Sequence, residues 1–204
     1  MTAWTAPKTY TGGAALTSAE LNTYLRDDTL NLDERFLLIG QTANSALLGK
    51  LKSAPYGCVL KRTATQSISN ATNEVITFPS GSTTEELDDD SFHDGATNTS
   101  RLTVPTGGAG WYDIGACVQF AANTTGRRET WIELNGSAGT GTPILMVAQD
   151  APPTAQAVLN PSGFYLLAAG DYLTLNVYQN STVALNVQAN NYSVRFWAMR
   201  RFSV

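Results

Sequence analysis

The chain has 204 residues, a length that suits one good-sized domain with an appendage, or two small domains, and excludes an elaborate multidomain enzyme. Its 17 acidic and 13 basic residues give a net charge of −4, which argues against non-specific nucleic-acid binding, because that depends on clustered Lys and Arg. Charged residues make up only 15% of the chain, against roughly 25% in an average soluble domain, and the Thr, Ser, Asn and Gly that replace them favour pleated strands and tight turns.

Residues 1–13 hold Trp4, Pro7, Tyr10 and the Gly12-Gly13 pair with neither helical nor strand periodicity, and read as an extended arm whose aromatics dock on another surface. A helix start follows. Thr17 and Glu20 form a reciprocal capping box, with Leu16 and Leu21 as the flanking hydrophobic staple. Leu21, Tyr24 and Leu25 then share one face, and Leu32, Phe36 and Ile39 extend the apolar stripe to Gly40. Pro55 and Gly57 mark a boundary, giving an attachment arm and helix over 1–54 and a second domain over 55–204. The first part holds five basic and five acidic residues; the second, with eight and twelve, carries the whole net charge.

Beyond Tyr56 the period changes to two. Tyr112, Ile114, Ala116, Val118 and Phe120 alternate with polar or small residues, and Ile132 and Leu134 continue the pattern up to the Asn135-Gly136 turn. Leu173, Leu175 and Val177 form a third such strand, Val183 to Val187 a fourth, and Tyr192 to Ala198 a last one. Further strands are expected over 58–63, 74–78, 100–104, 144–148 and 164–167. Eight to ten strands with no helix predict a mainly β sandwich or jelly roll. Trp111, Trp131 and Trp197 fall in the opposite phase from the core-facing residues, which marks them for subunit or ligand contacts.

Candidate chemistry is sparse. No stretch reaches the ~18 apolar residues that span a bilayer, and the basic-then-apolar pattern of a secretory signal is missing at Met1, so a soluble protein without membrane insertion is expected. Cys58 and Cys117 lack metal-ligand spacing and read as ordinary thiols or as one bridge. The acidic run from Glu85 to Asp90, with Asp94, reads as a solvated loop or strand start; its weaker alternative is a Ca²⁺ site using Asp88, Asp90 and Asp94, and no other cofactor is indicated. His93 is the only histidine, and with no Gly-x-Ser-x-Gly elbow a hydrolytic triad has no nucleophile. Glu129 and Glu133 share a strand face about 13 Å apart by strand rise, too far for a glycosidase pair. Arg127-Arg128 and Arg200-Arg201 read as exposed-strand or subunit-contact charges rather than an anion site.

Several strings resemble the jelly-roll head of the tumour-necrosis-factor and complement-type superfamily. They are Leu102-Thr103-Val104-Pro105 with Gly110-Trp111-Tyr112-Asp113-Ile114, then Glu133-Leu134-Asn135-Gly136, Leu167-Ala168-Ala169-Gly170-Asp171-Tyr172-Leu173, and Tyr192-Ser193-Val194-Arg195-Phe196-Trp197-Ala198. This resemblance implies a homotrimeric jelly-roll knob. At the other end, Leu16-Thr17-Ser18-Ala19-Glu20-Leu21-Asn22-Thr23-Tyr24-Leu25-Arg26-Asp27, after Trp4, Pro7 and Thr11-Gly12, is similar to the leader of tailed-bacteriophage virion proteins. That similarity implies a virion protein assembled in the host cytoplasm. Trp4, Pro7, Tyr10, Leu16, Leu21 and Leu25 would attach it to capsid, neck or tail proteins. The two resemblances together imply a non-enzymatic tail or head fibre, spike or decoration protein whose knob meets a host cell-surface glycan or only stabilises the capsid. A free trimeric binding module is the remaining alternative.

Overall fold

The structure, a computed structural model, describes residues 56–152 and 156–204. In chain order its strands are β1 (Tyr56–Arg62), β2 (Gln66–Ile68), β3 (Glu74–Val75), β4 (Thr83–Asp88), β5 (His93–Asp94), β6 (Asn98–Thr103) and β7 (Gly110–Gln119). They continue with β8 (Arg127–Leu134), β9 (Thr142–Asp150), β10 (Val158–Leu159), β11 (Ser162–Leu167), β12 (Tyr172–Gln179), β13 (Leu185–Val187) and β14 (Arg195–Ser203). Nine of these have six residues or more, within the expected eight to ten, and no helix occurs among the described residues.

Two sheets form a sandwich. The first runs β10-β7-β14-β1-β4, with β11 also paired to β7; the second runs β5-β6-β12-β8-β9, with β3 also paired to β12. Every pairing is antiparallel, and the last strand of the chain lies between β1 and β7 rather than at an edge. Such crossovers between sequence-distant strands are the mark of a jelly roll rather than a simple meander. The predicted mainly β sandwich is therefore the observed fold.

The alternation explains which side chains meet. Cys58, Leu60, Tyr112, Ile114, Ala116, Val118, Phe196 and Ala198 point inward from the first sheet. Leu102, Ile132, Leu173, Leu175 and Val177 point inward from the second. Phe78 stacks on Phe196 at a centroid separation of 5.9 Å, and Phe92 bridges Tyr56 and Tyr112 edge-on at 5.4 and 6.0 Å. Offset and edge-on pairs of this kind add to the stabilisation from area burial alone.

Boundaries differ from expectation at 74–78 and at the last strand, each for a traceable reason. The stretch 74–78 pairs only over Glu74–Val75, because Ile76 and Phe78 donate their N–H groups to different neighbours, the carbonyls of Leu175 and Thr99. Of the two readings of the acidic run, loop or strand start, Glu85 to Asp88 take the strand: they belong to β4 and pair with β1. The last strand begins at Arg195, leaving Tyr192 exposed while Val194 is buried.

Candidate binding surfaces

The outer face of the first sheet carries the most exposed aromatic cluster. Trp111 on β7 is flanked in register by Leu166 of β11 on one side and Phe202 of β14 on the other, with Phe164 one pair along. These side chains are 44%, 46%, 68% and 63% exposed, and Trp111, Phe164 and Phe202 line a hollow of about 310 Å³. A bulge between Arg200 and Phe202 creates the cluster: the extra residue reverses the alternation, turning Phe202 outward beside Trp111. Arg201, the residue inserted, reaches Asp113 Oδ2 at 2.7 Å.

Trp197 lies on the same face, two pairs further along. Its ring covers Gly115 so closely that a Cβ there would stand 2.3 Å from Trp197 Cζ2, and its Nε1 points to Asp113 Oδ1 at 3.5 Å. Only glycine leaves room for that indole. Arg195 continues the face and pairs with Glu86 at 2.8 Å.

The outer face of the second sheet is different. Trp131 has the expected outward phase, yet it is 6% exposed and Glu133 beside it is fully buried. The turn after β8 folds back over them. Glu133 Oε1 accepts hydrogen bonds from Trp131 Nε1 and Gly139 N, both at 2.6 Å, and Oε2 accepts one from Gly141 N at 3.1 Å. Asn176 Oδ1 holds Ala138 N at 2.7 Å, and Thr174 Oγ1 donates to the Gly136 carbonyl. The turn crosses itself so tightly that a Cβ on Gly136 would lie 2.1 Å from Gly141 Cα. These contacts give Glu133, Thr174 and Asn176 partners from the chain's own turn. Glu133 is thus a structural carboxylate, separated by function as well as distance from Glu129, which pairs with Arg127 at 2.9 Å.

The acidic segment shows no convergence. Asp88 accepts from the N–H groups of Phe92 and His93, Asp90 from the Tyr56 hydroxyl, and Asp94 from Ala96 and Thr97. Among the described residues no three His, Cys, Asp or Glu side chains come together as a metal-binding group. The two N–H bonds at Asp94 hold its carboxyl below the ordinary carboxylate range. His93 is buried against Phe78 with Nδ1 2.8 Å from Glu85 Oε1, a packing position with no serine or cysteine partner among the described residues.

Cys58 and Cys117 are unpaired: Cys58 points into the core and Cys117 sits in the outward phase of β7. Burial, reinforced by Asp88 and Glu85, pushes the Cys58 thiol far up, so it is an inert core filler. Tyr56 is pushed up to about 12, first by burial and then by its hydrogen bond to Asp90, although Arg200 lies 3.9 Å over its ring. Arg128 corrects the expectation for the Arg127-Arg128 pair. It occupies the core phase of β8 and is 1% exposed, with its guanidinium donating to the carbonyls of Asn123, Thr125 and Arg127.

Trp4, Pro7, Tyr10, Leu16, Leu21 and Leu25, the residues expected to attach the chain, lie outside the described residues. Sequence reasoning missed Phe164, Leu166 and Phe202. A signal existed for the first two: Phe164 to Leu167 is apolar at every position, the pattern of a strand covered on both faces. Phe202 had none, because the bulge that turns it outward is set by pairing with β7.

Against solved structures the fold has clear counterparts. Murine APRIL at pH 5.0 superimposes with a TM-score of 0.54 at 13% identity, covering 72% of this chain and 99% of that one. Eiger TNF from S. frugiperda superimposes with a TM-score of 0.52, also at 13% identity, covering 74% and 95%. The sandwich is a TNF-like jelly roll. No family model matches the sequence, and no curated protein is similar to it in sequence.

Proposed function

We propose that the chain is a non-enzymatic structural component of a tailed-phage virion: a homotrimeric knob, anchored by residues 1–54, that projects its jelly roll for host-surface adhesion. The exposed cluster of Trp111, Phe164, Leu166 and Phe202 carries the trimer reading. Four large apolar side chains on one sheet face are costly in water, and a contact repeated head to tail around a threefold axis between copies of the same knob removes them from it. TNF-like geometry supports this choice of occupant. The leader-like string from Leu16 to Asp27 supports attachment to a particle, and a single histidine with no Gly-x-Ser-x-Gly elbow supports a part that binds rather than turns over.

Deleting residues 1–40 tests the anchor. The truncated protein should remain a folded trimer and disappear from purified particles. Incorporation at the full-length level would contradict the assignment. Adhesion predicts saturable binding of the full chain to host envelopes, whereas capsid decoration predicts symmetric binding to capsids and none to envelopes.

A further inference from the structure

A second hollow lies away from the aromatic cluster. It measures about 400 Å³, inside the ~300–1,000 Å³ range of ligand pockets, and is formed by Ala122 to Thr125 after β7 and Ser181 to Val183 after β12. Trp111 is the second residue of β7 and the hollow follows its last; at ~3.3 Å per residue the two are about 30 Å apart along the strand. Covering the aromatic face therefore leaves the hollow open.

Its charge is unusual. Behind the 123–126 loop lies Arg128, buried and, among the described residues, without a carboxylate in ion-pair range; its partners are the backbone carbonyls of Asn123, Thr125 and Arg127. Burial without a counter-charge lowers its affinity for its proton but leaves a cation in place. In a trans peptide the C=O and N–H point opposite ways. Turning the carbonyls of Asn123 and Thr125 inward to the guanidinium thus turns the N–H groups of Thr124 and Gly126 outward. Both residues are exposed, and neither N–H has a partner among the described residues. Two outward amides with a buried cation behind them make a positive spot on an otherwise acidic domain.

The rest of the lining selects the ligand further. The hydroxyls of Thr124, Thr125 and Thr182 offer donors and acceptors, and Val183, 54% exposed, supplies an apolar surface. Thr182 is held at a φ of 75° by the bond from its N–H to Asn70 Oδ1 at 2.7 Å, so the rim has a fixed shape. Hydroxyl partners, one apolar contact and one anion spot match a pyranose with a carboxylate.

We infer that this hollow is a saccharide site for an acidic sugar of the uronic-acid type, its carboxylate facing the amide of Thr124 on the lining, with that of Gly126 just beyond it, in front of Arg128. The inference stands on the hollow itself and does not depend on where the chain is anchored.

The test is titration of the isotope-labelled full chain with glucuronate, glucose and inorganic sulfate in separate arms, followed by amide resonances. Glucuronate should shift Thr124, Gly126 and Thr182 with a dissociation constant of about 1 mM, with glucose and sulfate each at least tenfold weaker, roughly one tenfold step in free energy. Removing Arg128 would collapse the loop, so the charge is altered at exposed Thr124 instead. Thr124→Glu should weaken glucuronate at least tenfold with the other resonances unmoved. Equal binding of glucose, sulfate as tight as glucuronate, shifts confined to other regions, or an unchanged Thr124→Glu would each overturn the site. None of these bears on assembly, which is read independently from the mass of the same sample.

Discussion

The two sheets present their outer faces in opposite states. On both, strand alternation sends a tryptophan away from the core: Trp111 on β7 and Trp131 on β8. Trp111 stays open beside Leu166 and Phe202, whereas Trp131 is sealed by a turn that spends Gly139 and Gly141 N–H groups on Glu133. Outward phase alone therefore does not make an interface. What decides is whether the chain supplies its own cover, and here the Gly136–Gly141 turn supplies it on one side only.

Breaking the sealed face should have the largest effect on stability. Glu133→Ala removes the acceptor of three buried donors, Trp131 Nε1, Gly139 N and Gly141 N, at about 1–3 kcal/mol for each group left unsatisfied. We expect a loss of about 4 kcal/mol in urea unfolding and a newly exposed Trp131 in fluorescence quenching. A loss below about 1 kcal/mol would mean that the turn does not depend on the carboxylate.

The open face should respond more mildly. Gly115→Ala places a methyl 2.3 Å from the Trp197 ring, and the indole has room to lift on its solvent side. A destabilisation of about 1–3 kcal/mol, with Trp197 more accessible to quencher, is expected from overpacking of this kind. An unchanged Trp197 would show that the close approach is not a constraint.

The smallest effect sharpens the comparison at Tyr56, on the first sheet. A phenol whose folded pKa is raised above its unfolded value of about 10 contributes stability that is full below that pH. The contribution is lost as pH rises towards the folded value of about 12. Solvent screening at this partly open site keeps it within about 1 kcal/mol. Wild type should lose stability between pH 10 and 12 relative to Tyr56→Phe. Parallel curves would remove Tyr56 from the account.

Much of this was legible in the sequence. Alternation in 112–120, 130–134 and 173–177 set the sandwich, and the outward phase of Trp111, Trp131 and Trp197 followed from the same count. Extending the 130–134 pattern back by two residues also reaches the core phase of Arg128, which its charge disguised. What was not legible depends on contacts between distant segments. The cover over Trp131 needs Thr174 and Asn176, some 40 positions away, and the outward turn of Phe202 comes from a bulge against β7. The partners of Asp88 and Asp90 depended likewise on folding, which brings the donors of Phe92, His93 and Tyr56 to them.

The central claim is that the open face of the first sheet joins copies of the knob. Sedimentation of the full chain at micromolar concentration, beside the double variant Trp111→Ser, Phe202→Ser, measures it most directly. We predict three times the chain mass for wild type and a folded monomer for the variant, since truncating a central aromatic anchor typically costs about 2–4 kcal/mol of association. A monomeric wild type, or a variant that keeps the wild-type mass, would contradict the account.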